Sequence, residues 1–125
     1  MSIQNINWNY PTSIWFGLNR INEIQKACDE LNISNPLIVT DPGILQTDII
    51  TKINRSLKVK ANIFSEVKSN PTGANVEEGV KLFNDKNHDG VIAVGGGSGM
   101  DTGKGIAFMS KQERQLCDFE DIRDW

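Results

Sequence analysis

A chain of 125 residues with 38% hydrophobic residues and a formal net charge of -3 is sized for a single domain with a buried core. Its mildly acidic balance excludes a basic nucleic-acid footprint, and no apolar run approaches the roughly 20 residues of a membrane span. The start, Met1-Ser2-Ile3-Gln4-Asn5, has no charged n-region or apolar h-region of a signal peptide, and Cys28 and Cys117 are isolated, without metal-type spacing, which fits a reducing, cytoplasmic setting.

Trp8–Phe16 is aromatic and β-rich around Pro11 and predicts one or two edge strands, ended by Gly17. Asn19–Leu31 predicts an amphipathic helix, with Ile21, Ile24, Cys28 and Leu31 on one face and Cys28 as a buried thiol. Asn32–Pro36 is the turn out of it. Leu37-Ile38-Val39-Thr40 predicts a buried strand ending in Asp41-Pro42-Gly43. An acid at the carboxyl end of such a strand faces the ligand crevice of an open α/β sheet, where it accepts hydrogen bonds from an adenosine ribose and repels a 2′-phosphate. The plainer reading is that Asp41 opens a D-P-G turn.

Ile44–Leu57 predicts a helix with Ile49, Ile50, Ile53 and Leu57 as its stripe, and Lys60–Val67 a third strand centred on Ile63. Asn70 precedes Pro71, which extends its backbone and leaves its amide free to reach a ligand; a simple loop asparagine is the equal alternative. Asn75 with Glu78 three residues on resembles a capping box, followed by Val76, Val80 and Phe83 on one helical face. His88, the lone histidine, lies in a polar turn and reads as a surface residue. After the glycine stretch described next, Lys111–Trp125 is charged and polar, with Leu116, Phe119 and Ile122 at spacing three.

The stretch Val91–Gly105, V-I-A-V-G-G-G-S-G-M-D-T-G-K-G, carries the chemistry. A short buried strand breaks into glycines, and helical spacing resumes at Met100. Strand, glycine turn and helix together aim backbone N–H groups and a helix N-terminus at an anion. Ser98 adds a hydroxyl for a phosphate oxygen or a helix cap. The dinucleotide fingerprint G-x-G-x-x-G fails at Met100 or at Thr102, and the P-loop fails at Ser98 and Gly105.

What remains is G-G-G-S-x-x-D-x-x-K, with Asp101 and Lys104. This pattern resembles the iron-containing, metal-dependent alcohol dehydrogenase family and its glycerol-dehydrogenase-like relatives. Pro11, Ile38–Asp41, Asn70-Pro71-Thr72 and Asp89 follow in matching order. The alternation of strands and helices predicts an α/β fold, a Rossmann-like open parallel sheet with helices on both faces.

The resemblance implies that residues 1–125 are a partial amino-terminal dinucleotide-binding domain. Gly96, Gly97 and Ser98 would hold the pyrophosphate, Asp41 the adenosine ribose with NAD favoured over NADP, and Asn70 would line the cofactor groove. Asp101 and Lys104 would be a polar pair near the nicotinamide end. Relatives add a helical domain in which one Asp and three His hold divalent iron or zinc; one histidine cannot supply three imidazoles. The expectation is therefore a fragment that is inactive alone, from an oxidoreductase interconverting alcohols and aldehydes or ketones, and a homo-oligomer without nucleic-acid or membrane partners. The alternatives are a non-catalytic nucleotide- or phosphate-binding module and a ligand-free fragment.

Overall fold

The computed structural model describes residues 14–67 and 73–110. A 3-10 turn, Arg20–Glu23, leads into helix α1, Ile24–Glu30, and then strand β1, Pro36–Thr40. Two helices follow, α2 (Pro42–Leu45) and α3 (Ile49–Ser56), and then strand β2, Asn62–Phe64. Helix α4 (Gly73–Asp85), strand β3 (Gly90–Val94) and helix α5 (Gly97–Met109) complete the order.

The three strands are parallel in the order β2-β1-β3. Leu37 pairs with Asn62 and Val91, and Thr40 at the end of β1 pairs with Val94 at the end of β3. Because successive side chains of a strand point to opposite faces, β1 feeds two cores. Ile38 packs with Cys28, Ile50, Ile53, Leu57 and Ile92 beneath α1 and α3. Leu37 and Val39 pack with Phe64, Val76, Phe83 and Ile106 beneath α4 and α5. All five β1 residues are buried, which is why this strand reads as a continuous apolar run rather than an alternation. The fold is thus an open parallel α/β sheet with helices on both faces.

Several expectations shift. The predicted helix Ile44–Leu57 is two helices. Asp41 caps α2, and Thr47 hydrogen-bonds back to the Ile44 carbonyl before α3 begins. The predicted strand Lys60–Val67 shrinks to three residues, because its only strand partner among the described residues is the stretch Leu37–Val39. Residues 14–16 form no strand, and the rest of the predicted Trp8–Phe16 strands lies outside the described residues. The first helix starts as a 3-10 turn at Arg20 rather than as an α-helix at Asn19. Asn75 is not a cap: it is buried inside α4, where its amide donates to the Glu66 carbonyl.

His88 is buried, not a surface residue. Its burial follows from how α4 ends. Asn87 takes a left-handed φ of 56°, which asparagine tolerates. The His88 N–H then reaches the Phe83 carbonyl at 2.9 Å and the Asn87 N–H the Asn84 carbonyl at 3.2 Å. This is a Schellman ending, which drives the residue after the left-handed one onto the last turn, here the ring of His88 toward that of Phe83. Helix α1 ends the same way, with Asn32 at φ 58° and the Ile33 N–H on the Cys28 carbonyl. The His88 Nδ1–H donates to the Asn35 carbonyl at 3.0 Å, which leaves Nε2 to accept from Asn62 Nδ2 at 3.3 Å.

Candidate cofactor site at the sheet's switch point

In the order β2-β1-β3 the chain leaves β1 in one direction to form β2 and returns past it to form β3. The carboxyl ends of β1 and β3 therefore flank the crevice where open α/β sheets bind ligands. Asp41 follows the last residue of β1, and Gly95 follows the last residue of β3.

Gly95 has φ 126°, a conformation that L side chains rarely adopt, and this sharp bend turns β3 into α5. A Cβ built on Gly95 would lie 2.9 Å from Asp41 Oδ2, so the carboxylate and the glycine turn are immediate neighbours. The other oxygen, Oδ1, accepts from the Ile44 N–H at 2.8 Å and caps α2. Asp41 therefore opens the turn with one oxygen while the other lies against Gly95, and a carboxylate has capacity to accept further bonds.

Gly96 is the N-cap of α5 and has no side chain to cap it, and Gly97 is the first helical residue. A Cβ on either would meet no atom within 4 Å, so both face open space. A helix N-terminus of this kind offers backbone N–H groups and the positive end of the helix dipole to an anion. That combination fits a pyrophosphate. Ser98 is half-buried and lies within the first turn, beyond the N-cap, so the predicted capping role falls away. The helix begins at Gly97, three residues earlier than Met100, because the glycines continue the turn's hydrogen bonding: the Met100 N–H already bonds the Gly96 carbonyl.

Asp101 and Lys104 are not part of this cradle. Both are exposed on α5, three residues apart on one helical face. Lys104 lies seven residues beyond Gly97, about 10 Å along the helix axis at 1.5 Å per residue. The other side of α5 explains the later glycines: a Cβ on Gly103 would stand 2.6 Å from the Ala93 Cβ, so the helix lies against β3 at backbone distance. Asn70 lies outside the described residues, as does Cys117. Thr40, to which the sequence assigns no role, is fully buried, and its hydroxyl donates to the Val94 carbonyl at 3.0 Å directly beneath the turn.

Away from the crevice, Asp89 ties the amino ends of β1 and β3 together. Its carboxylate accepts from the Ser34 N–H, the Ser34 hydroxyl and the Asn35 N–H at 2.8–2.9 Å. Burial pushes this carboxyl up, but the N–H groups of Ser34 and Asn35 and the Ser34 hydroxyl outweigh it and hold it below the usual range. Burial, then the nearby charges of Asp29 and Asp89, pushes the Cys28 thiol up. A concavity of about 690 Å³ is lined by Trp15, Phe16, Ile21, Ile24 and Leu31 and holds none of the predicted cofactor residues.

Comparison with known proteins agrees with this fold. The family model for iron-containing alcohol dehydrogenase matches residues 11–124. The chain is 36% identical over 113 residues to choline dehydrogenase of Bacillus subtilis (strain 168), covering 88% of this chain and 28% of that protein. It is 31% identical over 127 residues to 1,3-propanediol dehydrogenase of Klebsiella pneumoniae, covering 98% and 33%. It superposes on a crystal structure of 1,3-propanediol oxidoreductase with a TM-score of 0.79 and 32% identity, covering 84% of this chain and 28% of that one. On NADH-dependent butanol dehydrogenase A from Thermotoga maritima the TM-score is 0.82 at 28% identity, covering 92% and 30%. The chain spans about 28% to 33% of the length of these relatives.

Proposed function

Because the chain belongs to the iron-containing alcohol dehydrogenase family, we propose that it is the cofactor-binding portion of an NAD-dependent, metal-dependent alcohol dehydrogenase. The observation that carries this reading is the juxtaposition at the switch point of a carboxylate, Asp41, with the Cβ-free N-terminus of α5 at Gly96 and Gly97. NADH dependence is stated for the Thermotoga maritima relative.

In this reading the N–H groups of the first turn of α5 and the Ser98 hydroxyl hold the pyrophosphate. Asp41 Oδ2 accepts from the adenosine ribose and disfavours the extra phosphate of NADP by like charge. Asn70 lines the groove, and Asp101 and Lys104 form a polar pair near the nicotinamide end. The bound nicotinamide supplies hydride transfer to or from the substrate carbon. Divalent iron or zinc in the parent enzyme supplies polarisation of the substrate oxygen. Among the described residues no group of three His, Cys, Asp or Glu could hold a metal ion. In the same reading the metal ligands and the small alcohol or aldehyde substrate belong to a second, helical domain of a longer, homo-oligomeric parent, and this chain alone turns over no alcohol. Among the described residues no helix is long and apolar enough to cross a membrane.

The test is a calorimetric titration of the chain with NAD and, separately, NADP. Saturable NAD binding is expected. Asp41→Gly should weaken it by about tenfold to a hundredfold, the loss of charge-assisted bonds to a ribose. The same variant should narrow the preference over NADP. Glycine is tolerated at an N-cap for a few tenths of a kcal/mol, so α2 stays formed and the comparison is clean. A folded chain that binds neither nucleotide overturns the proposal for this chain.

A further inference from the structure

We propose that Thr40 is a positioning residue for the glycine turn, acting through the Val94 carbonyl; the inference rests on the cofactor reading above. Thr40 is the last residue of β1 and is fully buried. A valine would fill nearly the same space in a buried strand without a hydroxyl to satisfy. The hydroxyl instead donates to the Val94 carbonyl oxygen, on its own register partner across the β1–β3 pair.

That carbonyl is the pivot of the site. It belongs to the same rigid peptide plane as the Gly95 N–H, so holding the oxygen orients the plane from which the chain bends at φ 126°. The first turn of α5 also rests on it: a Cβ on Gly99 would stand 3.0 Å from the Val94 oxygen. The neighbouring residue, Asp41, abuts Gly95. Consecutive residues at the end of β1 therefore secure consecutive residues at the end of β3, one by a hydrogen bond to the backbone and one by close packing. Without the Thr40 hydroxyl, the Val94–Gly95 peptide plane gains freedom to rock. The amides of Gly96, Gly97 and Ser98 then lose the preorganisation on which tight phosphate binding depends.

The experiment compares the wild-type chain with Thr40→Val, which removes the donor and keeps the branched shape, and Thr40→Ser, which keeps the donor. NAD affinity is read by calorimetry, and amide hydrogen exchange at Gly95–Ser98 by NMR, at a temperature where all three chains are folded. Thr40→Val should weaken NAD binding by about three- to tenfold, the worth of one hydrogen bond, and speed exchange at these amides. Thr40→Ser should stay within about twofold of wild type on both readouts. Unchanged affinity and unchanged exchange in Thr40→Val overturn the proposal. So does a Thr40→Ser variant that loses as much as Thr40→Val, which would mark a packing role only. If the wild-type chain binds no NAD, the cofactor reading fails for this chain and the exchange comparison alone decides on Thr40. Should Thr40→Val not fold, Thr40→Ala removes the same donor without adding a methyl and carries the same comparison.

Discussion

Replacing Gly103 by alanine tests the close approach of α5 to β3. The added Cβ would lie 2.6 Å from the Ala93 Cβ and 3.4 Å from Val91 Cγ1. Carbon atoms settle at about 3.5–4.0 Å, so helix and strand must separate by about 1 Å. The Ala93 Cβ is fixed to the backbone of a paired strand and has no rotamer through which to move away. The cost therefore belongs near the top of the overpacking range, about 3 kcal/mol. Alanine recovers about 1 kcal/mol over glycine in helix propensity, which leaves a net loss of about 2 kcal/mol. Ala93→Gly alone should cost about 0.5–1 kcal/mol as a strand glycine. In the double variant the blocking atom is gone. The nearest remaining Ala93 atom is its Cα at 3.6 Å, an ordinary contact. The double variant should then be more stable than Gly103→Ala by at least about 1 kcal/mol despite carrying two changes, a favourable coupling of about 2 kcal/mol. Urea unfolding followed by circular dichroism, compared at equal m-value, measures all four corners of the cycle. Strictly additive costs, or a Gly103→Ala chain stabilised by its helix propensity alone, would refute the close contact.

Asp89→Asn should cost about 1 kcal/mol at pH 7, because the site is exposed and its three hydrogen bonds are only partly replaced by an amide. The Asp89 carboxyl is lowered in the fold, so its contribution is present above the unfolded value near 4 and is lost as pH falls through the folded value. The gap between wild type and Asp89→Asn should accordingly close on acidification; a gap that widens below about pH 4 refutes the clamp. Ile106→Ala should lose about 3–5 kcal/mol, since Ile106 is fully buried with Leu37, Val39, Phe64 and Val76. A loss under about 1 kcal/mol in chemical denaturation would place α5 elsewhere. In a Cys117→Ser chain, Cys28 should react with a thiol reagent at least about tenfold more slowly in the native state than in denaturant, because it is buried and its pKa is raised. Equal rates would contradict the packing of α1 on α3.

The class of fold was legible because its signal is local. Leu37–Thr40 and Val91–Val94 are apolar runs bounded by turn residues, and a strand covered on both faces needs nothing else to be recognised. Cys28 and Val76 were legible as core by helical spacing alone. The failures are equally physical. Ile44–Leu57 has one continuous apolar stripe, yet the chain breaks between Leu45 and Ile49, where Thr47 binds back to the Ile44 carbonyl. His88 reads as polar in its local context. Its burial is decided by the left-handed Asn87 before it and by Phe83, Asn35 and Asn62 around it, one of them 53 positions away in sequence. The signal that could have revealed it is Asn followed by a bulky residue at a helix end, which also occurs at Asn32-Ile33.

For the candidate site the division is sharper. The composition of Gly95–Ser98 determines by itself that this turn can bend and can bring backbone close to an anion, because those capacities follow from missing Cβ atoms. The same sequence cannot say that Asp41, 54 residues before Gly95, stands against it, nor that Thr40 reaches the Val94 carbonyl across the same gap. The spacing of Asp101 and Lys104 does follow from consecutive residues: both stand exposed on one face of α5, three residues apart, with Lys104 about 10 Å along the axis from Gly97. The contacts of Asp41 and Thr40 depend on strand order: β3 lies beside β1 only because the chain passes over β1 on its way back from β2. Local chemistry is written in consecutive residues, and the meeting of two strand ends is a long-range pairing that only the folded sheet decides.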